Sequence, residues 1–136
     1  MEVRTHRLAS PRLIGRPVKV GPPEAEVELI TTREMAVDEH GLVHGGFTFG
    51  AADYAAMLAV NEPTVVLGKA EVKFVRPVKV GETLRARAKI AEDLGRKKIV
   101  KGTVLNENNE VVLEGVFYCY VLEKHVLEIQ GKSSSR

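Results

Sequence analysis

Two rhythms of apolar residues run through the chain. Residues 25–32 (AEVELITT) alternate apolar and polar positions, the pattern of a strand with one buried face. A similar extended pattern returns at residues 65–75, 82–90 and 97–105. It is cleanest in 82–90, where Leu84, Ala86, Ala88 and Ile90 share one face and Arg85, Arg87 and Lys89 the other. Residues 111–122 (VVLEGVFYCYVL) are mostly apolar and predict a central strand covered on both faces. Arg76-Pro77, Asp93-Leu94-Gly95 and the polar run 106–109 supply the stops and turns between these segments. Gly68, inside a strand, marks a bulge or a point of close approach.

The second rhythm belongs to residues 44–61, HGGFTFGAADYAAMLAVN. The stretch from Gly50 onward is rich in Ala, Met and Leu, which lose little side-chain freedom in a helix, and Glu62-Pro63 stops it. A helix that is apolar nearly all round must be wrapped by protein. The order is then one strand, one long apolar helix and four antiparallel strands. This predicts an α+β domain in which an antiparallel sheet of about five strands wraps the helix. Residues 1–23 form a lead-in with no clear period, closed by Gly21-Pro22-Pro23. Residues 24–122 form the domain, and 123–136 a tail whose GKSSSR ending has the composition of a frayed terminus.

Composition narrows the class. A length of 136 residues, 44% hydrophobic and 28% charged, suits one soluble globular domain. The formal charge of +2 is too small to point to a nucleic-acid partner, though it suits an anionic small molecule. The single cysteine, Cys119, reads as a small core residue; it permits no intrachain disulfide, and no zinc spacing occurs. With no leader segment and no long apolar run, the expectation is a cytoplasmic protein without a membrane segment.

Candidate chemistry concentrates in the helix. Gly45 and Gly46 leave its N-terminal amides open, with the positive end of the dipole behind them, so this end can hold an oxyanion. Asp53 is the one carboxylate in an apolar helix. An unpartnered buried charge is costly, and perturbed carboxylates cluster at functional sites; the plainer alternative is a carboxylate hydrogen-bonded for structure. His40 and His44, with Asp38 and Glu39, form an H-x3-H in a loop that lacks the helical backing of a metal site, so no metal is expected.

The set Asp38-x5-His44-Gly45-Gly46-x6-Asp53, then Phe74-x-Arg76-Pro77-x3-Gly81-Glu82-x-Leu84 and Gly95-Arg96, resembles the hotdog-fold acyl-CoA thioesterases of the PaaI-like and 4-hydroxybenzoyl-CoA group. The resemblance covers roughly residues 24–122. It implies a hotdog fold and hydrolysis of a small or aromatic acyl-CoA, with CoA arriving as part of the substrate and no cofactor. It makes Asp53 the general base or the nucleophile, has the Gly46 amide polarise the thioester carbonyl, and gives His44 a secondary part in shaping the turn and touching substrate. Asp38, Gly45, Thr64 and Arg96 would bind substrate, and Arg76, Lys79, Lys97 and Lys98 are either further phosphate contacts or a solvated rim. Phe47, Tyr54 and Met57 would shape the acyl pocket, Tyr54 through packing. Seven residues separate Gly46 from Asp53, on the order of 10 Å along a helix axis. If both act on one carbon they come from different subunits, so the resemblance and the spacing agree on a homodimer, which in this group often pairs again as a dimer of dimers. The sequence departs from the group in two places. Asp38 stands where Asn is usual, and the hydroxyl expected early in the strand after the helix is missing, Thr64 lying too early and Leu67 in its register. Two other readings of the same fold are a non-catalytic acyl-CoA-binding sensor and a dehydratase, the latter needing a catalytic His in a different loop signature.

Overall fold

The computed structural model describes residues 1–133. The short helix α1 (Pro11–Ile14) leads into strand β1 (Arg16–Lys19) and then β2 (Glu24–Ile30). A 3-10 turn (Arg33–Met35) and a loop follow before helix α2 (Gly45–Val60). Strands β3 (Val65–Phe74), β4 (Thr83–Leu94), β5 (Lys97–Leu105) and β6 (Val111–Val121) complete the sheet, and α3 (Val126–Ser133) closes the described chain. The strands form one antiparallel sheet in the order β1-β2-β4-β5-β6-β3. Among the described residues no helix is long and apolar enough to cross a membrane.

The sheet curls around α2, the α+β arrangement of the hotdog fold. Ala51, Ala52, Ala55, Ala56, Met57, Leu58 and Ala59 are all buried, leaving the helix no polar stripe along this stretch. The many alanines let it lie close over β2, β4 and β5, where Val27, Leu29, Leu84, Ala86 and Val100 meet it. Asn61 ends the helix in the left-handed conformation (φ 52°, ψ 40°), which Asn tolerates better than most residues. Its buried side chain takes the Arg4 N–H at 2.9 Å and gives a hydrogen bond to the Glu2 carbonyl at 2.9 Å, tying the N-terminal segment to the helix end.

Three features differ from the sequence expectation. The sheet has six strands rather than about five, because residues 16–19 of the lead-in pair with β2. The strand β4 does not stop near Ile90. A bulge between Ile90 and Glu92 shifts the alternation, and pairing continues to Leu94 opposite Lys97, leaving Gly95-Arg96 as a two-residue turn. From Leu113 onward the strand β6 is covered on one face only: Leu113, Phe117 and Cys119 are buried, while Glu114 is exposed and Val116, Tyr118 and Tyr120 remain half-buried on the other face. In the tail, α3 occupies residues 126–133, and residues 134–136 lie outside those described.

Gly68 fulfils both readings made of it. The β3–β6 register shifts between Leu67 and Lys69, and a side-chain carbon at Gly68 would be driven into the Tyr120 ring.

Candidate functional site

The tip of α2 is stitched to two neighbouring segments. The His44 N–H reaches the Met35 carbonyl at 2.9 Å, and the Val43 N–H reaches that of Val78 at 2.8 Å. His44 is the N-cap: its Nδ1 accepts the Gly46 N–H at 2.7 Å. An imidazole nitrogen that accepts carries no hydrogen of its own, so this cap uses the tautomer with its N–H at Nε2. The Gly46 amide expected to polarise a carbonyl is therefore engaged in the cap. The Gly45 amide, one residue earlier, has no partner among the described residues. Gly45 lies under the Phe74 ring, and a side-chain carbon there would sit 3.0 Å from it. Beside this contact a cavity of about 200 Å³ opens between Gly45, Thr48, Phe74, Arg76 and Val78.

Asp53 lies two turns farther along α2, a spacing of eight residues or about 12 Å from Gly45. Its Oδ1 is buried without a hydrogen-bond partner among the described residues. Burial pushes its carboxyl up from 3.8 to about 6. The side chain points toward β6, where burial and the nearby Asp53 charge push the Cys119 thiol up to about 12. Cys119 is thus an inert core thiol.

The remaining expected residues are spread over the molecule. The exposed Asp38 carboxylate accepts the backbone N–H groups of His40 at 3.0 Å and Leu42 at 3.3 Å, so it builds the turn before the helix. Thr64 donates its hydroxyl to the Leu122 carbonyl at 2.5 Å. Arg96 reaches Glu123 at 3.1 Å and the Val121 carbonyl at 3.4 Å. Thr64 and Arg96 therefore stand at the Val65 end of β3, whereas His44, Gly45 and Gly46 stand at its Phe74 end. Nine residues of extended chain, roughly 30 Å, separate the two ends. The structure brings the helix-tip residues together, holds Asp53 midway, and leaves Thr64 and Arg96 remote within one protomer. Tyr54 is buried against the His6 ring, with centroids 6.3 Å apart, as a packing residue. No group of three His, Cys, Asp or Glu side chains that could hold a metal occurs among the described residues.

Two contributors were not singled out from sequence as parts of the site. Phe74, 56% exposed, roofs Gly45, and the F-x-R-P motif was its only signal. Thr48 lines the cavity from inside the helix and carried no signal, since one Thr in an apolar helix is common.

Known proteins resemble this chain in sequence and fold. The family model of the thioesterase superfamily matches residues 40–112. The crystal structure of an uncharacterized protein from Pyrococcus horikoshii is 69% identical and superposes with a TM-score of 0.91, covering 93% of this chain and 97% of that one. Methylthioribose-1-phosphate isomerase of Aquifex aeolicus is 49% identical over 122 residues, which is 90% of this chain and 26% of that protein. The transcription factor FapR of Shouchella clausii is 35% identical over 88 residues, 64% of this chain and 45% of that protein. The chain thus spans about a quarter to a half of the length of these curated relatives. With the family model covering more than half of its residues, the chain belongs to the thioesterase superfamily.

Proposed function

We propose that the protein hydrolyses the thioester bond of a small or aromatic acyl-CoA, with Asp53 as the reacting carboxylate. The observation that carries this reading is Asp53 itself, half-buried on an apolar helix with one oxygen fully buried and unpartnered among the described residues, in a chain of the thioesterase superfamily. As general base, Asp53 takes a proton from water, which attacks the carbonyl carbon; as nucleophile, it forms a transient anhydride that water then opens. In either route the oxyanion is met by an amide at the α2 tip, the C–S bond breaks and the CoA thiol leaves with a proton. We assign that amide to Gly45 rather than Gly46, because the Gly46 hydrogen is held by His44. His44 then fixes the tip. A cytoplasmic location fits such a substrate.

One protomer is incomplete for this chemistry. The strand β3 is a ten-residue edge, and its inner row of Leu67, Ala70 and Val72 is only partly covered, ending in exposed Phe74. Such an edge is ordinarily shielded. Pairing it with a second copy about a two-fold axis sets the Phe74 end of one chain against the Val65 end of the other. Gly45 of one subunit then faces Asp53, Thr64 and Arg96 of its twin. Two composite sites result.

The test is thiol release from a panel of short, long and aromatic acyl-CoAs, comparing wild type with Asp53→Asn and Gly45→Val. Each variant alone is expected to be inactive. Co-assembly of the two should restore about a quarter of wild-type activity, since half the dimers are mixed and each carries one intact site. Inactivity of the wild type on every substrate would sink the hydrolase reading. A second reading, an acyl-CoA-binding sensor, is favoured by the turn-building Asp38 and by the likeness to a transcription factor. It would show as tight acyl-CoA binding without turnover.

A further inference from the structure

The sheet face turned away from α2 changes character from one side to the other. Over β2 and β4 it is a grid of opposite charges, with Glu24, Glu26 and Glu28 directly across from Lys89, Arg87 and Arg85. Over β5, β6 and β3 the charges give way to two tyrosines. In one row Lys97 lies across from Tyr120, and Val66 on its other side; in the next, Ile99 and Lys69 flank Tyr118. The Lys69 ammonium lies over the Tyr118 ring, 5.2 Å from its centre, and that of Lys97 lies over both rings, 5.5 Å from the centre of Tyr118 and 5.9 Å from that of Tyr120. Neither lysine has an ion-pair partner among the described residues.

Both rings are held in place by the neighbouring strand β3. The Tyr118 hydroxyl donates to Glu71 at 2.9 Å. Tyr120 lies across the β3 bulge, over Gly68, whose missing side chain is what lets the ring settle there. Ammonium groups on flexible stems, with no carboxylate partner, can swing off these ring faces to meet phosphates while a flat heteroaromatic ring takes their place. Lys97 follows Arg96 in the β4–β5 turn, at the Val65 end of β3 where the composite site would open.

We propose that Tyr118 and Tyr120 form a stacking platform for the adenine of the CoA ester, with Lys97 and Lys69 facing its phosphates. This rests on the acyl-CoA reading above. The CoA chain rounds the end of the sheet at the Gly95-Arg96 turn, so its acyl end lies on the α2 side and its nucleotide on the opposite face.

The platform is tested by calorimetric binding of coenzyme A, of adenosine 3′,5′-bisphosphate and of pantetheine, which lacks the nucleotide. Wild type, Tyr120→Leu, Tyr120→Phe and Lys97→Glu are compared, each checked for native thermal unfolding and subunit number. Tyr120→Leu and Lys97→Glu should each weaken coenzyme A and the bisphosphate about tenfold and leave pantetheine unchanged, while Tyr120→Phe should match wild type. Equal coenzyme A affinity in all four proteins overturns the proposal. So does an equal loss for pantetheine, which would mean general distortion. A change of subunit number with coenzyme A affinity intact would make this face a contact between copies of the chain instead. If wild type binds pantetheine but not coenzyme A, the platform alone falls; if it binds neither, the acyl-CoA reading falls with it.

Discussion

Replacing Asp53 by asparagine separates the cost of burying a carboxylate from its use. The exchange keeps the shape and removes the charge. A carboxyl raised from 3.8 to about 6 holds its proton more tightly in the folded than in the unfolded chain. Its contribution to stability is therefore fully present below about pH 4, is lost as the pH climbs through about 6, and stays lost above. At about 1.4 kcal/mol per pH unit the full loss is roughly 3 kcal/mol, and the residue's remaining contact with solvent brings it nearer 2 kcal/mol. The uncharged amide of the Asp53→Asn variant has no such loss. In thermal unfolding between pH 4 and pH 8, the wild type should fall relative to Asp53→Asn by about 5 to 8 °C for a domain of this size. Over the same range the wild-type kcat/KM should rise through a midpoint near 6, because only the ionised carboxylate can accept a proton or attack, while Asp53→Asn stays inactive. Parallel stability curves would refute the burial argument, and turnover that survives in Asp53→Asn would refute the assigned role.

Further outcomes follow from individual contacts. Asn61→Ala loses the residue suited to the left-handed turn and two hydrogen bonds to the lead-in, and should cost about 2 to 4 kcal/mol in urea unfolding, with Asn61→Gly recovering part of it. The same variant should expose Arg4 and Arg7 to trypsin. His44→Ala removes the helix cap and should cost about 1 kcal/mol, largely restored by His44→Asn. Gly68→Ala forces the Tyr120 ring off the strand and should cost about 1 to 3 kcal/mol; in the Tyr120→Ala background the same change should cost much less, because the clash is gone.

The alternation of Leu84, Ala86, Ala88 and Ile90 was enough to place most of β4, but it could not carry the strand past Ile90, because a bulge exchanges the faces without changing residue type. Nor did Arg-Pro-Val-Lys read as β1: four residues with a proline have no period, and prolines are tolerated only at an edge such as this one. Asp53 was legible as a charge out of place, since a carboxylate among alanines is anomalous in any packing. The employment of the Gly46 amide was not, because it depends on the rotamer and tautomer of His44. The separation of Thr64 and Arg96 from the helix tip needed strand order, which no local pattern encodes. Asn61 ahead of Glu62-Pro63 did carry a readable hint of a left-handed helix end, though its grip on Glu2 and Arg4 is long-range and invisible along the chain.

The tether at Asn61 has an architectural corollary. It anchors residues 2–4 at the same pole where β6 gives way to α3, and Thr5, His6, His125 and Val126 line a single hollow there. Incoming and outgoing polypeptide therefore meet at one corner, away from the α2 tip. A unit wired in this way can be spliced onto a larger protein at either side, its linkers leaving from the Thr64 corner and clear of its own α2 tip.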